Sequence, residues 1–278
     1  MSKNVYQITR SISSFLVATG VTTPLATPLA TLITLPILTV ASCFFFPSHS
    51  QASDLIVSAS ASLKDAFIEI KNEFEKENPQ HKLLYNFAAG GLLRIQIEQG
   101  APVDVFASAA VSDLELLKKK SAIVENSIVR FASNKLVAIV PLSQKENCKT
   151  LDDLKKSTVK RIAVGNPNTV PAGKYTEESL AHFAILTALK PKFVFGENVR
   201  QVLDYTERNE VDAAFVFATD AMQSKTVKTA FVLDSRSHSP IIYSAGIVAR
   251  TKKNELAKTF VSFLTHRGKY ILTKYGFE

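Results

Sequence analysis

Four short loops each stand immediately before a run of helical apolar period: Ala59-Ser60-Ala61-Ser62, Ala88-Ala89-Gly90-Gly91, Val170-Pro171-Ala172-Gly173 and Glu197-Asn198-Val199. The first turn of an α-helix leaves backbone N–H groups without an intrahelical acceptor, and the aligned peptide dipoles place about half a positive charge there. Convergent helix N-termini therefore make an anion site that needs no lysine or arginine, and small side chains let the ligand reach the backbone. Any one of these loops is equally well a plain helix cap. Four of them in one chain point to capture of an anion.

Covalent chemistry has little to stand on. The histidines His49, His81, His182, His238 and His266 are scattered, with no H-x-x-x-H, C-x-x-C or H-x-x-E-H spacing to hold a metal. No G-x-S-x-G elbow, phosphate-binding G-x-x-x-x-G-K-[ST] loop or dinucleotide G-x-G-x-x-G is present. The acid pairs Asp152-Asp153 and Glu177-Glu178 fall near expected helix starts, where carboxylates favour the positive end of the dipole. The chain therefore reads as a binding protein and not an enzyme, with no cofactor.

The elements that would carry these loops alternate. Strands are expected over 55–58, 83–87, 103–108, 136–140, 162–164, 193–195, 213–217, 231–233 and 241–248. Helices are expected over 62–77, 92–99, 113–120, 174–189, 199–208 and 255–264, with a last segment at 270–277. In the first helix Leu63, Ala66, Phe67, Ile70 and Phe74 share one face, Ser62 with Asp65 fits an N-cap, and Asn78-Pro79 ends it. Strand, small-residue loop, helix is the α/β pattern, and its loops lie at the carboxyl ends of parallel strands, where open sheets bind ligands.

Composition divides the chain in two. Of 278 residues, the 43 between Arg10 and Asp54 contain no Asp, Glu, Lys or Arg, whereas charges recur every few positions afterwards. Lys3 and Arg10 form a positive n-region, 37–46 an apolar h-region, and Ser50-Gln51-Ala52 a cleavage site, so 1–52 reads as a signal peptide. Two rival readings are a retained membrane anchor and a lipoprotein acylated at Cys43 within Val40-Ala41-Ser42-Cys43. Each places the folded part outside the cytoplasmic membrane. Cleavage after Ala52 leaves Cys148 alone, so no internal disulfide can form. The net charge of +8 includes Lys3 and Arg10, and the remaining basic residues are interspersed with acids. They read as solvated surface and not as a nucleic-acid face.

At the four loops, and over nearly all of the chain after 52, the sequence resembles the periplasmic molybdate-binding protein family that feeds a molybdate ABC transporter. The segments that carry the likeness are Ser58 to Leu63, Gln96 to Phe106 (QIEQGAPVDVF), Val164 to Pro167 with Val170 to Gly173, Val199-Arg200 with Glu207 to Glu210, and Lys274 to Phe277. The resemblance implies a type II periplasmic-binding-protein fold, α/β, with two lobes joined by a two-strand hinge. Lobe one would span 53–131 and 243–278, and lobe two 132–242. It implies as ligand a small oxyanion, molybdate or tungstate, with molybdenum present only within that anion. As partner it implies an ABC permease in the cytoplasmic membrane, and the protein would be a monomer.

Carried over by position, Ser62 would offer its N–H and hydroxyl, Ala172 and Val199 their backbone N–H groups, and Gly90 an N–H. Two positions depart from the family. Gly90 stands where a liganding serine is common, and Phe217 where some members carry a tyrosine whose phenol reaches the anion. Each departure removes a charge-assisted hydrogen bond, typically about 1.5–3 kcal/mol. Ser60 and Thr219 are candidates to replace them. The departures leave open a same-fold protein for sulfate or another small anion, and an exported enzyme on the same scaffold is the alternative of another class.

Overall fold

The computed structural model describes residues 53–144 and 148–278, so the expectations for the signal peptide, the cleavage site and Cys43 lie outside the described residues. In chain order the elements are β1 (Ser53–Ser60), α1 (Lys64–Glu77), β2 (His81–Ala88), α2 (Gly90–Glu98), β3 (Val105–Ser108), α3 (Val111–Lys119), β4 (Val129–Ser133) and β5 (Leu136–Pro141). They continue with β6 (Ile162–Gly165), α4 (Pro171–His182), α5 (Leu186–Leu189), β7 (Phe193–Gly196), α6 (Val199–Glu207), β8 (Ala213–Phe217), α7 (Ala218–Met222), β9 (Val227–Val232), β10 (Ile242–Ile247), α8 (Asn254–Thr265) and α9 (Arg267–Lys274).

These form two five-stranded sheets, ordered β2-β1-β3-β10-β4 and β7-β6-β8-β5-β9. In the first, β1 pairs parallel with β2 and β3 while β10 runs antiparallel. In the second, β6 pairs parallel with β7 and β8 while β5 runs antiparallel. Strands covered by helices on both faces must be apolar throughout, and β3, β5, β6 and β8 are buried at every position. In the first lobe α1 and α8 pack against each other through an aromatic contact, with the Phe74 ring edge-on to Phe260 and Phe263 at 5.5 and 5.4 Å.

The chain passes between sheets twice, from β4 to β5 and from β9 to β10. The first crossing is pinned by hydrogen bonds that Asn134 Nδ2 donates to Thr219 Oγ1 (2.8 Å) and Tyr243 Oη (3.3 Å). The last residue is tied there too, since Ser133 and Glu278 exchange backbone hydrogen bonds.

Several local expectations are corrected. Ser62 is not an N-cap: it lies within a 3-10 turn, Ala61–Leu63, that precedes α1, and its hydroxyl is engaged elsewhere. The helix expected over 174–189 starts earlier, at Pro171, and ends at His182. Ala184 takes a left-handed conformation (φ 56°), which turns Ile185 back into the core with its N–H on Leu180 O. Glu177-Glu178 consequently sits beyond the first turn of α4. There Glu178 accepts from Ser239 N and pairs with Lys174, and no dipole role is needed. Strand β4 and helix α7 were not expected. Cys148 is buried and unbridged, with its thiol pushed up to about 11 by burial, so it stays protonated and inert at neutral pH.

Candidate functional site

The carboxyl ends of β1, β2, β6 and β7 deliver the four loops to a single small cavity. Ser62, Gly90, Ala172, Val199 and Phe217 all line it, together with Ser60 and Asn198, and no lining residue carries a formal charge. Thr219 is not among the lining residues, and its Oγ1 accepts from Asn134 Nδ2 in the crossing.

Local sequence explains which N–H groups are left for a ligand. In α4 the first position is Pro171, which has no N–H, so Ala172 supplies the first donor of that helix. In α6 the Asn198 side chain caps by accepting from Arg200 N (3.0 Å) and Gln201 N (3.1 Å), which leaves the N–H of Val199 outside the cap. In α2 Gly91 donates to Thr169 O of the other lobe at 2.9 Å, and Gly90 precedes it at the first helical position.

Gly90 has a steric reason. A Cβ there would stand 2.5 Å from Ser108 Oγ, 2.9 Å from Asp113 Oδ2 and 3.0 Å from Ser60 Oγ. The volume that a serine side chain would take at 90 is already filled by other hydroxyls. Ser108 donates to Asp113 Oδ2 at 2.6 Å. Burial raises the Asp113 carboxyl, against the opposing pull of Ser108 and Arg94.

Ser62 is oriented by a chain of hydrogen bonds. Its Oγ is 2.9 Å from Tyr243 Oη, and both side chains are buried. Asn134 Oδ1 accepts from Lys135 N, which fixes the amide so that Nδ2 donates to Tyr243 Oη. Burial holds the phenol pKa well above its ordinary value, so Tyr243 keeps its proton and can donate a hydrogen bond to Ser62 Oγ. The Ser62 proton is then free for the cavity. Phe217 instead forms an apolar wall, with its ring 5.9 Å from that of Tyr243 and 6.4 Å from that of Tyr175.

Further contacts join the lobes around the cavity. Tyr175 Oη donates to Ala109 O at 3.1 Å. Arg200 reaches Asp65 of α1 and the buried Asp220 of α7, at 2.6 and 2.7 Å. The Arg200 guanidinium is thus committed to carboxylates and is not a lining residue. Tyr243, Asn134 and the Arg200 pairs escaped the sequence reading. Tyr243 and Ser62 are 181 residues apart, and no local pattern marks such a pair. Among the described residues no cluster of three or more His, Cys, Asp and Glu could hold a metal ion.

Comparison with known proteins gives the chain's relatives. The model of the family described as "Bacterial extracellular solute-binding protein" matches residues 55–278. A Bacillus subtilis (strain 168) protein, YvgL, provisionally described as an ABC transporter substrate-binding lipoprotein, is 36% identical over 244 residues, 86% of this chain and 93% of its own. The molybdate-binding protein ModA of Haemophilus influenzae (strain ATCC 51907 / DSM 11121 / KW20 / Rd) is 32% identical over 83% of this chain and 92% of its own. Among solved structures, the substrate-binding domain of a provisionally assigned Clostridium difficile molybdenum ABC transporter superposes with a TM-score of 0.64 at 34% identity, over 81% of this chain and 98% of that one. The resemblance read from the loops therefore holds. The fold is of type II periplasmic-binding-protein form, two α/β lobes joined by a two-strand hinge, and these relatives are solute-binding proteins, not enzymes.

Proposed function

The chain belongs to the bacterial extracellular solute-binding protein family, and from that premise we propose that it captures molybdate or tungstate outside the cytoplasmic membrane and delivers it to an ABC permease. Its general role is that of the substrate-binding protein of an ABC transporter. The observation that carries the finer reading is the meeting of Ser62, Gly90, Ala172 and Val199 at one uncharged cavity lined by helix N-termini. Backbone N–H groups and hydroxyls offer donors to a fully ionised tetrahedral anion. Protonated phosphate, whose hydroxyl requires an acceptor, is disfavoured.

In this reading lobe one (53–131 and 243–278) and lobe two (132–242) close over the anion, and the closed form is what the permease recognises. Both lobes contact the ligand, so binding shifts the population toward closure. Sulfate is the competing ligand, because it too is a fully ionised tetrahedral dianion. Calorimetric titration of the protein with molybdate, tungstate, sulfate and phosphate tests the assignment. Micromolar or tighter binding of molybdate or tungstate, resisted by excess sulfate, is expected. No binding of either would refute it, and tighter binding of sulfate would reassign the ligand. Because the donors are neutral and enclosed, affinity is expected to change little with ionic strength.

A further inference from the structure

We propose that Ser60 is a hydroxyl ligand of the bound anion, supplying the hydrogen bond that Gly90 cannot. The proposal rests on the oxyanion reading of the cavity and adds to it a residue that decides affinity in this chain.

Ser60 closes β1, is 3% exposed and lines the cavity. It precedes the 3-10 turn yet makes no side-chain cap bond, so its hydroxyl is not spent on the helix. Its Oγ accepts the N–H of Ala109 at 3.1 Å, and among the described residues that is the hydrogen bond it makes. The contact fixes the oxygen and leaves the proton to be donated. A buried hydroxyl that accepts without donating is costly unless a ligand or water takes the proton.

The space around Gly90 singles out the same residue. The side chain of a serine at 90 would begin 3.0 Å from Ser60 Oγ and 2.5 Å from Ser108 Oγ, so these hydroxyls occupy the region that it would enter. Ser108 cannot serve, since its proton goes to Asp113 Oδ2 and its oxygen accepts Ala110 N. Ser60 lines the cavity with its proton uncommitted. The glycine and the serine thus form a compensating pair: a serine at 60 fills the place and takes over the chemistry of a serine at 90.

The test pairs calorimetry with structure. Molybdate, tungstate and sulfate are titrated into the wild-type protein and into Ser60→Ala, and the wild-type complex with the tightest of them is solved crystallographically. One charge-assisted hydrogen bond corresponds to a loss of about 10- to 100-fold in affinity for Ser60→Ala. In the complex Ser60 Oγ is expected about 2.7 Å from an oxygen of the anion. An affinity within about twofold of wild type, or an Oγ more than about 3.5 Å from every anion oxygen, overturns the role of Ser60 while the oxyanion reading stands. Failure of the wild type to bind any of the three overturns both. If Ser60→Ala does not fold, the distance in the wild-type complex decides.

Discussion

Arg200 on α6 holds Asp65 on α1 across the cleft, Nη2 to Oδ2 at 2.6 Å, while its Nε lies 2.7 Å from the buried Asp220. One guanidinium therefore links the lobes at one end and satisfies a buried charge at the other. The two halves have different consequences. The Asp65 contact is partly exposed, and pairs of that kind contribute about 0.2–1 kcal/mol. Asp65→Asn is expected to weaken ligand binding about two- to fivefold through faster dissociation, with the melting temperature of the ligand-free protein unchanged. Stopped-flow dissociation rates check this. Arg200→Ala leaves Asp220 buried without its cation, which costs about 3–5 kcal/mol and should lower the melting temperature markedly.

Asp220 also sets a pH dependence. Burial raises its carboxyl to about 6, with Arg200 pulling the other way, against 3.8 for an ordinary aspartate. Between about pH 4 and 6 the folded protein therefore keeps a proton that the unfolded chain has released, so this group's contribution to stability declines as pH rises through that window and is level above it. Thermal melts from pH 3.5 to 7.5, compared with Asp220→Asn, should show that slope in the wild type and not in the variant. A carboxyl signal titrating near 4 would contradict it.

At Gly91 the lobes meet backbone to backbone, its N–H donating to Thr169 O at 2.9 Å. A Cβ at 91 would stand 2.8 Å from Thr169 O and 3.0 Å from Thr169 Cα on the opposite lobe. Backbone atoms cannot swing aside, so Gly91→Ala should hinder closure. Overpacking of this sort costs about 1–3 kcal/mol, an affinity loss of roughly 5- to 150-fold. Within α2 the alanine is the better helix former, so the ligand-free protein should be no less stable. Unchanged affinity would show that the lobes close differently around the ligand.

In the proposed anion site Tyr243 works through Ser62, whose Oγ lies 2.9 Å from its Oη. Removing the phenol leaves the Ser62 hydroxyl and the Asn134 amide short of a buried partner, at a cost of about 1–3 kcal/mol. Tyr243→Phe should weaken anion binding, and in a double-mutant cycle its effect on affinity should nearly vanish in a Ser62→Ala background. Independent, additive losses would mean that Tyr243 does not work through that serine.

Much of the fold was legible along the chain because its signals are local. The apolar runs of β5, β6 and β8 mark strands buried on both faces, and the loops before α2, α4 and α6 mark helix starts whose free N–H groups need no tertiary information to recognise. The misses have local causes as well. In β4, Val129-Arg130-Phe131-Ala132-Ser133, only Phe131 is buried, so its pattern is too weak to mark a strand. The early end of α4 depends on Ala184 in a left-handed conformation that alanine composition does not announce.

The order of strand, small-residue loop and helix was enough to mark neutral helix N-termini, and not charged side chains, as the candidate anion donors, since free N–H groups at a helix start follow from local sequence. Which hydroxyls stand beside those N-termini is settled on folding. Ser62 is set by Tyr243 from 181 residues away, and Thr219 is drawn into the crossing by Asn134. Gly90 is required by the Ser60 and Ser108 oxygens that fill its side-chain space. A hydrogen bond is won or lost over a few tenths of an ångström between groups that the chain brings together only on folding, and residue types and spacings do not carry that information.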